Sequence, residues 1–197
     1  MGLKTLYVFG DSWPAGAELD DVIKDGFPCL TSQKIGYTLD NLSQNATSID
    51  HATWQFLKAI DRKPFNTGDI VLFCLTGLDR TWVWENGYPL ELHPGNTNHI
   101  KGAPYYKYIH SDDLARANAV KNILLVNEMC LTRDVLCLFV YNWDKHIQHN
   151  LLNTIPFYNK TLHEIANNNF NPGGHPNKLG HQLIAEELSA WIKTHDN

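Results

Sequence analysis

Long apolar runs are missing from this sequence: nowhere in its 197 residues is there a stretch hydrophobic enough to span a bilayer. Hydrophobic residues still make up 43% of it, enough to fill one sizeable core. Basic residues are few and scattered. With 16 Lys and Arg against 21 Asp and Glu, the formal charge is -5, and no basic stripe or Lys/Arg-flanked amphipathic segment is present. Nucleic acid and membrane partners are therefore not expected. The four cysteines, Cys29, Cys74, Cys130 and Cys137, have no C-x-x-C spacing, and Cys74 and Cys137 lie in strand-like apolar runs. Buried free thiols are expected rather than a disulfide framework or a zinc site. Gly10 and Gly16 follow an apolar strand without the glycine and lysine spacing of a nucleotide loop. His146 and His149, near Asp144, have neither a helical His-Glu-x-x-His pattern nor a third ligand, so no metal and no cofactor are expected. Met1 to Phe9 carries one Lys and runs into a polar turn at Gly10, without the apolar segment of a secretory signal, which reads as cytoplasmic.

Three segments are rich in β-branched and aromatic residues: Thr5 to Phe9, Asp69 to Thr76 and Val135 to Tyr141, with the shorter Tyr37 to Leu42 a fourth candidate. The two later runs are nearly continuous in apolar residues, as strands covered on both faces tend to be. Helical patterns lie between them at Gly26 to Ile35, Ile49 to Ile60 and Asp112 to Leu131, the last behind Ser111 as N-cap. A final amphipathic helix, Lys178 to Thr194, places Leu179, Leu183, Ile184, Leu188, Trp191 and Ile192 on one stripe. Alternating strands and helices predict an α/β fold, a three-layer α/β/α sandwich with a short parallel sheet. We expect a single domain over residues 1–197, interrupted at about 82–110 by a loop rich in Trp and Tyr that serves as a lid or substrate wall.

Two short motifs carry chemistry. In Phe9-Gly10-Asp11-Ser12-Trp13-Pro14 an apolar strand ends in a turn, and in open α/β sheets ligands bind beyond the carboxyl ends of the strands. Gly173-Gly174-His175-Pro176-Asn177-Lys178-Leu179-Gly180-His181 stands directly before the last helix. A serine hydroxyl needs a base to become a nucleophile, and a neutral imidazole such as His175 suits that task near neutral pH. His181 reads as a packing residue of the last helix.

In this order and on a chain of this length, the two motifs resemble those of the SGNH (GDSL-like) hydrolase family. The resemblance implies a flavodoxin-like α/β/α fold and metal-free ester or thioester hydrolysis, with Ser12 as nucleophile and His175 as base. Asn41 to Ser48 is similar to the family's second block, with Ala46 where the family has Gly as an oxyanion donor, and Thr76-Gly77-Leu78-Asp79-Arg80 is similar to the third, with Asp79 in place of an oxyanion-stabilising Asn. Asp11 and Trp13 are grouped with Ala46 and Asp79 as oxyanion- or substrate-binding residues. An ionised Asp79 cannot donate a hydrogen bond, so it must be protonated, turned away or compensated by Arg80. The family's orienting acid, three residues before the histidine, is replaced by Pro172. A Ser12–His175 dyad is thus expected, its imidazole held by a backbone carbonyl or by Asn171.

The expected substrate is a small-molecule or carbohydrate ester, an O-acetylated sugar in particular. Two other readings stay open: a catalytically weakened carbohydrate-binding module, in which Asp79 and Pro172 record lost chemistry, and an acyltransferase working where water is excluded. The oligomeric state is not legible in the sequence.

Overall fold

The computed structural model of the protein describes residues 4–86, 88–94 and 101–196. In chain order its elements are β1 (Thr5–Phe9), α1 (Ser12–Ala15), α2 (Val22–Asp25), α3 (Phe27–Ile35), β2 (Thr38–Asn41), α4 (Ile49–Arg62), β3 (Ile70–Leu75), β4 (Thr81–Glu85), β5 (Tyr88–Leu92), α5 (Gly102–Tyr108), α6 (Asp112–Leu131), β6 (Leu136–Tyr141), a 3₁₀ turn at Asn150–Leu152, α7 (Leu162–Ala166) and α8 (Lys178–His195). Four strands form one parallel sheet in the order β2-β1-β3-β6.

The continuous apolar strands follow from what covers them. Successive side chains of a strand point to opposite faces. Leu6 and Val8 of β1, Ile70 and Leu72 of β3, and Leu138 and Val140 of β6 pack with Phe27 of α3 and Ile184, Leu188 and Ile192 of α8. Their neighbours Tyr7 and Phe9, Val71 and Phe73, and Phe139 and Tyr141 pack with Ile49 and Phe56 of α4 and Ile123 and Val126 of α6. The result is the expected three-layer sandwich. Rings of Phe9, Phe56, Phe73 and Phe139 meet at centroid distances of 5.6–6.0 Å in the second of these layers, and truncating one such ring costs about 3–5 kcal/mol. At the free side of β6, Phe139 donates to the Pro156 carbonyl (3.0 Å) and accepts from Tyr158 N–H (2.8 Å). Pro156 stands on this edge, the part of a sheet where a missing N–H is tolerated.

The strand order also places the site. From β1 the chain goes to β2 on one side and then returns to β3 on the other. The connections therefore part at the carboxyl ends of β1 and β3, where an open sheet leaves a crevice.

The expected loop over 82–110 is corrected in part. Thr81–Glu85 and Tyr88–Leu92 pair antiparallel as a hairpin, and Gly102–Tyr108 is helical; residues 87 and 95–100 lie outside the described residues. The first hairpin strand is rich in β-branched and aromatic residues, Thr81 to Trp84, and Asn86-Gly87 before the second is a dipeptide suited to a tight hairpin turn. The hairpin is fastened to α4: Glu91 accepts from Ser48 N–H at 3.2 Å and bonds the His51 ring, which in turn stacks on Trp82 at 5.0 Å.

Candidate active site

The turn after β1 is shaped by close approach to β3. Gly10 has φ +153°, and a Cβ there would lie 2.8 Å from Cys74 Cβ and 2.9 Å from the Cys74 carbonyl oxygen. Only glycine fits so near a neighbouring backbone. Asp11 follows as the N-cap of α1 and is fully buried. Its Oδ1 accepts from Trp13 N–H (3.0 Å) and Asn142 Nδ2 (2.6 Å), and its Oδ2 accepts from Thr76 Oγ1 (2.8 Å) and Arg80 Nη1 (3.0 Å). Four donors, one of them a cation, thus satisfy a carboxylate removed from water. Since Thr76 directly follows β3 and Asn142 directly follows β6, this carboxylate ties three strand ends to the turn that carries Ser12.

Ser12 is the first residue of α1, and its Oγ lies 2.9 Å from His175 Nε2. His175 is held in the loop between α7 and α8 by Asn171 N–H, which donates to the His175 carbonyl at 2.7 Å, while Asn177 caps α8 by accepting from Gly180 N–H at 3.1 Å. The other imidazole nitrogen, Nδ1, lies 2.9 Å from Glu18 Oε2, and His175 N–H also points at that oxygen at 3.4 Å. These hydrogen bonds from His175, the side-chain one foremost, lower the Glu18 pKa below the usual glutamate value. An ionised carboxylate only accepts, so Nδ1 carries the proton and Nε2 presents its lone pair to the Ser12 hydroxyl. The expected holders of the imidazole are thereby corrected. Among the described residues neither a backbone carbonyl nor Asn171 meets Nδ1; Asn171 Nδ2 instead donates to the Glu18 carbonyl at 3.3 Å.

The second block lies against the first. Gln44 N–H donates to the Gly10 carbonyl at 3.1 Å and Asn41 Nδ2 to the Pro14 carbonyl at 2.8 Å. Within this segment Ala46 takes φ +63°, the left-handed conformation that glycine adopts without strain. Among the described residues, the N–H groups of Ser12 and Ala46 donate to no protein acceptor.

Asp79 is exposed, and its Oδ1 folds back over Gly77, where a Cβ would be 2.4 Å away. Tyr106 Oη donates to the Asp79 carbonyl at 2.5 Å. Burial raises the Tyr106 pKa, with the Asp79 charge adding to it, so the phenol keeps its donor proton. Arg80, one of the alternatives weighed for compensating Asp79, is paired with Asp11 instead.

Asp11 and Trp13, expected among the oxyanion- or substrate-binding residues, are inside the protein. The Trp13 ring is 1% exposed and packs against Trp143 at 4.6 Å and Phe170 at 5.7 Å, so it supports the turn from within. His181, at the start of α8, is also buried; its Nδ1 accepts from Phe27 N–H at 3.1 Å, and burial lowers its pKa to about 4. Cys74, Cys130 and Cys137 are buried free thiols and Cys29 is a half-buried one. His146 pairs with Asp144 at the surface, and His149 accepts from Leu151 N–H. Among the described residues no helix is long and apolar enough to cross a membrane.

Sequence reasoning missed Glu18, Asn142 and the Arg80–Asp11 pair. Glu18 had one available signal, being the acidic residue nearest after Ser12 in the chain.

No family model matches the chain, and no curated protein matches it. Solved structures do. The psychrotrophic esterase EstA from Pseudoalteromonas sp., in a structure inhibited by monoethylphosphonate, superposes with a TM-score of 0.61 at 15% identity, covering 97% of each chain. A member of the lipolytic protein G-D-S-L family from Veillonella parvula gives 0.55 at 11% identity, covering 96% of this chain and 97% of the other. A family two carbohydrate esterase from Clostridium thermocellum, in complex with cellohexaose, gives 0.56 at 13% identity over 99% of this chain and 65% of its own. Identities this low establish shared architecture, and the chain has the α/β/α fold of the SGNH and G-D-S-L hydrolase structures.

Proposed function

We propose that the protein is a serine hydrolase of carboxylic esters, with Ser12 as nucleophile and His175 as general base. The observation that carries this reading is the 2.9 Å contact between Ser12 Oγ and His175 Nε2 at the carboxyl end of β1. As Ser12 Oγ bonds to the acyl carbon, its proton passes to Nε2 and the carbonyl electrons move onto oxygen. The N–H groups of Ser12 and Ala46 receive that oxyanion. Collapse breaks the bond to the alcohol, whose oxygen takes the proton from Nε2. Water then attacks the acyl-enzyme by the same route, releasing the acid and restoring Ser12.

The substrate class we assign is an O-acylated carbohydrate, an acetyl ester in the first instance. Trp84 of the hairpin and Trp54 of α4 are exposed and meet at a centroid distance of 6.5 Å, and ring faces of this kind stack on pyranose rings. Glu91, on the same face of the hairpin as Trp84, accepts from Ser48 N–H, two residues beyond Ala46, which supports this pair of rings as a substrate wall. The cellohexaose-bound esterase of the same fold favours the same class. The test compares p-nitrophenyl acetate with an acetylated xylo-oligosaccharide. Turnover of both, lost in Ser12→Ala and His175→Ala, supports the proposal. Turnover of the small ester alone removes the carbohydrate assignment, and turnover that survives Ser12→Ala in folded protein removes the mechanism.

The competing reading, a binding module with weakened chemistry, draws on the carboxylate of Asp79 in the third block. It requires glycan binding without turnover of either ester. Acyl transfer would instead show a rate that depends on an added acceptor alcohol.

A further inference from the structure

We infer that Glu18 is the positioning acid of the site, supplied by the nucleophile's own loop in place of the residue that Pro172 displaces. This rests on the reading of Ser12 and His175 as nucleophile and base. Three features of the structure carry it beyond a chance surface contact.

The first is how the carboxylate is held. Glu18 Oε2 receives two N–H groups of one residue, the Nδ1–H and the backbone N–H of His175. The carboxylate thus fixes both the tautomer and the rotation of the ring relative to its own backbone. The second is the conformation of Glu18 itself. Its φ is +67°, in the left-handed region where Gly, Asn and Asp are usual and a long side chain is rare. The Glu18 carbonyl in that conformation accepts from Asn171 Nδ2, so the two loops are tied at backbone as well as side chain. Departures of this kind persist where surrounding structure imposes them, and they gather at functional sites. The third is Gly173. A Cβ at that position would lie 2.1 Å from Glu18 Oε1, so the histidine loop is bare where the carboxylate passes.

The remaining charged and titratable groups near the ring do not compete for the role. His181 is buried beneath the loop and neutral at ordinary pH. Asp25 is paired with Lys178 at 2.9 Å. Ser12 occupies Nε2, and the Asp11 carboxylate is turned inward toward Thr76, Arg80, Asn142 and the Trp13 N–H.

Glu18 touches no reacting atom. It acts through His175: an ionised acceptor at Nδ1 holds the proton there, keeps Nε2 free for the Ser12 proton, and stabilises the imidazolium formed during attack. One sign follows from electrostatics. Removing the negative charge makes protonation of the ring less favourable, so the acid limb of kcat/KM moves to lower pH while the plateau falls.

The experiment measures p-nitrophenyl acetate hydrolysis over pH for wild type, Glu18→Gln, Gly173→Ala and the double variant, with thermal midpoints taken alongside. Glu18→Gln is expected to lower kcat about a hundredfold with KM little changed, and to shift the acid limb downward. Gly173→Ala, which pushes the carboxylate off the ring, is expected to reproduce both effects. The double variant should be no slower than the worse single one, because both changes break the same contact. A downfield Nδ1–H proton resonance, present in wild type and lost in Glu18→Gln, reports the same hydrogen bond without turnover. A Glu18→Gln rate within twofold of wild type with an unmoved acid limb overturns the assignment, as do additive losses in the double variant. If Ser12→Ala alone leaves turnover intact, the underlying reading of the site fails instead, and the two failures are thus told apart.

Discussion

Asp11→Asn tests how the nucleophile is placed. The substitution keeps the shape of the side chain and removes its charge. All four partners of the carboxylate are donors: Trp13 N–H, Asn142 Nδ2, Thr76 Oγ1 and Arg80 Nη1. An asparagine has one oxygen and one NH₂ group, so either orientation turns the NH₂ toward two of these donors. With the oxygen toward Trp13 and Asn142, Thr76 can rotate its hydroxyl to accept, but Arg80 loses its partner. With the oxygen toward Thr76 and Arg80, Asn142 can flip its amide, since its buried Oδ1 has no hydrogen-bond partner among the described residues, but the Trp13 N–H is orphaned. One donor is therefore lost in either case, at about 1–3 kcal/mol, and the surviving bonds lose their charge assistance. Arg80 is about a quarter exposed, so water recovers part of its share. The sum is about 3 kcal/mol, and for a chain of this length each kcal/mol lowers the thermal midpoint by roughly 2–4 °C, giving a fall of roughly 6–12 °C. Displacing Ser12 from the imidazole by even about 1 Å costs on the order of a hundredfold in rate. Circular dichroism melting and p-nitrophenyl acetate turnover on the same samples read both effects. A midpoint within about 2 °C of wild type together with an unchanged rate would refute the role given to this carboxylate.

Ala46→Gly relieves a left-handed L-residue and is expected to raise stability by about 0.5–1 kcal/mol in urea denaturation while keeping turnover; a loss of stability would mean that Ala46 is not strained. Asp79→Asn is expected to raise turnover of a simple acetyl ester at a pH where a free carboxylate is ionised, by up to about a hundredfold if the new amide donates to the oxyanion. Unchanged turnover would place the side chain away from the reacting atoms. His181 gives a pH dependence with a definite sign. Its folded pKa of about 4 lies below the ordinary 6.5, so as pH falls from about 6.5 to about 4 the unfolded state takes up a proton that the folded state refuses. Stability is therefore lost across that window, by up to about 3 kcal/mol, and is insensitive to this group above it. Melting curves from pH 8 to pH 4 should show that decline, and His181→Gln should flatten it.

The core of the fold is legible in the sequence because burial on both faces writes itself as unbroken apolar runs. β1, β3, β6 and α6 lie where those runs and the Ser111 cap place them, and Lys178–His195 follows its stripe. The hairpin was hidden by its own composition: Trp82, Trp84 and Tyr88 read as part of an aromatic loop, although the two tryptophans alternate just ahead of an Asn-Gly pair. In the site, Ser12 and His175 are legible because each sits where a strand or loop meets a helix. Asp11 and Trp13 were given to the substrate because a motif marks which residues gather near a site but not which way they point. Both point inward. Glu18 stands near Ser12 in the chain, but its pairing with His175 could not be read there, since the contact joins residues 157 apart through a loop of unusual conformation.

The account depends most on an activated Ser12, and fluorophosphonate labelling followed by peptide mapping measures that activation directly, whatever the natural ester. We predict a single covalent adduct on Ser12, formed quickly in wild type, slowly in His175→Ala, and absent from folded Ser12→Ala. Unlabelled wild-type protein, or an adduct on another serine that persists in Ser12→Ala, would contradict it.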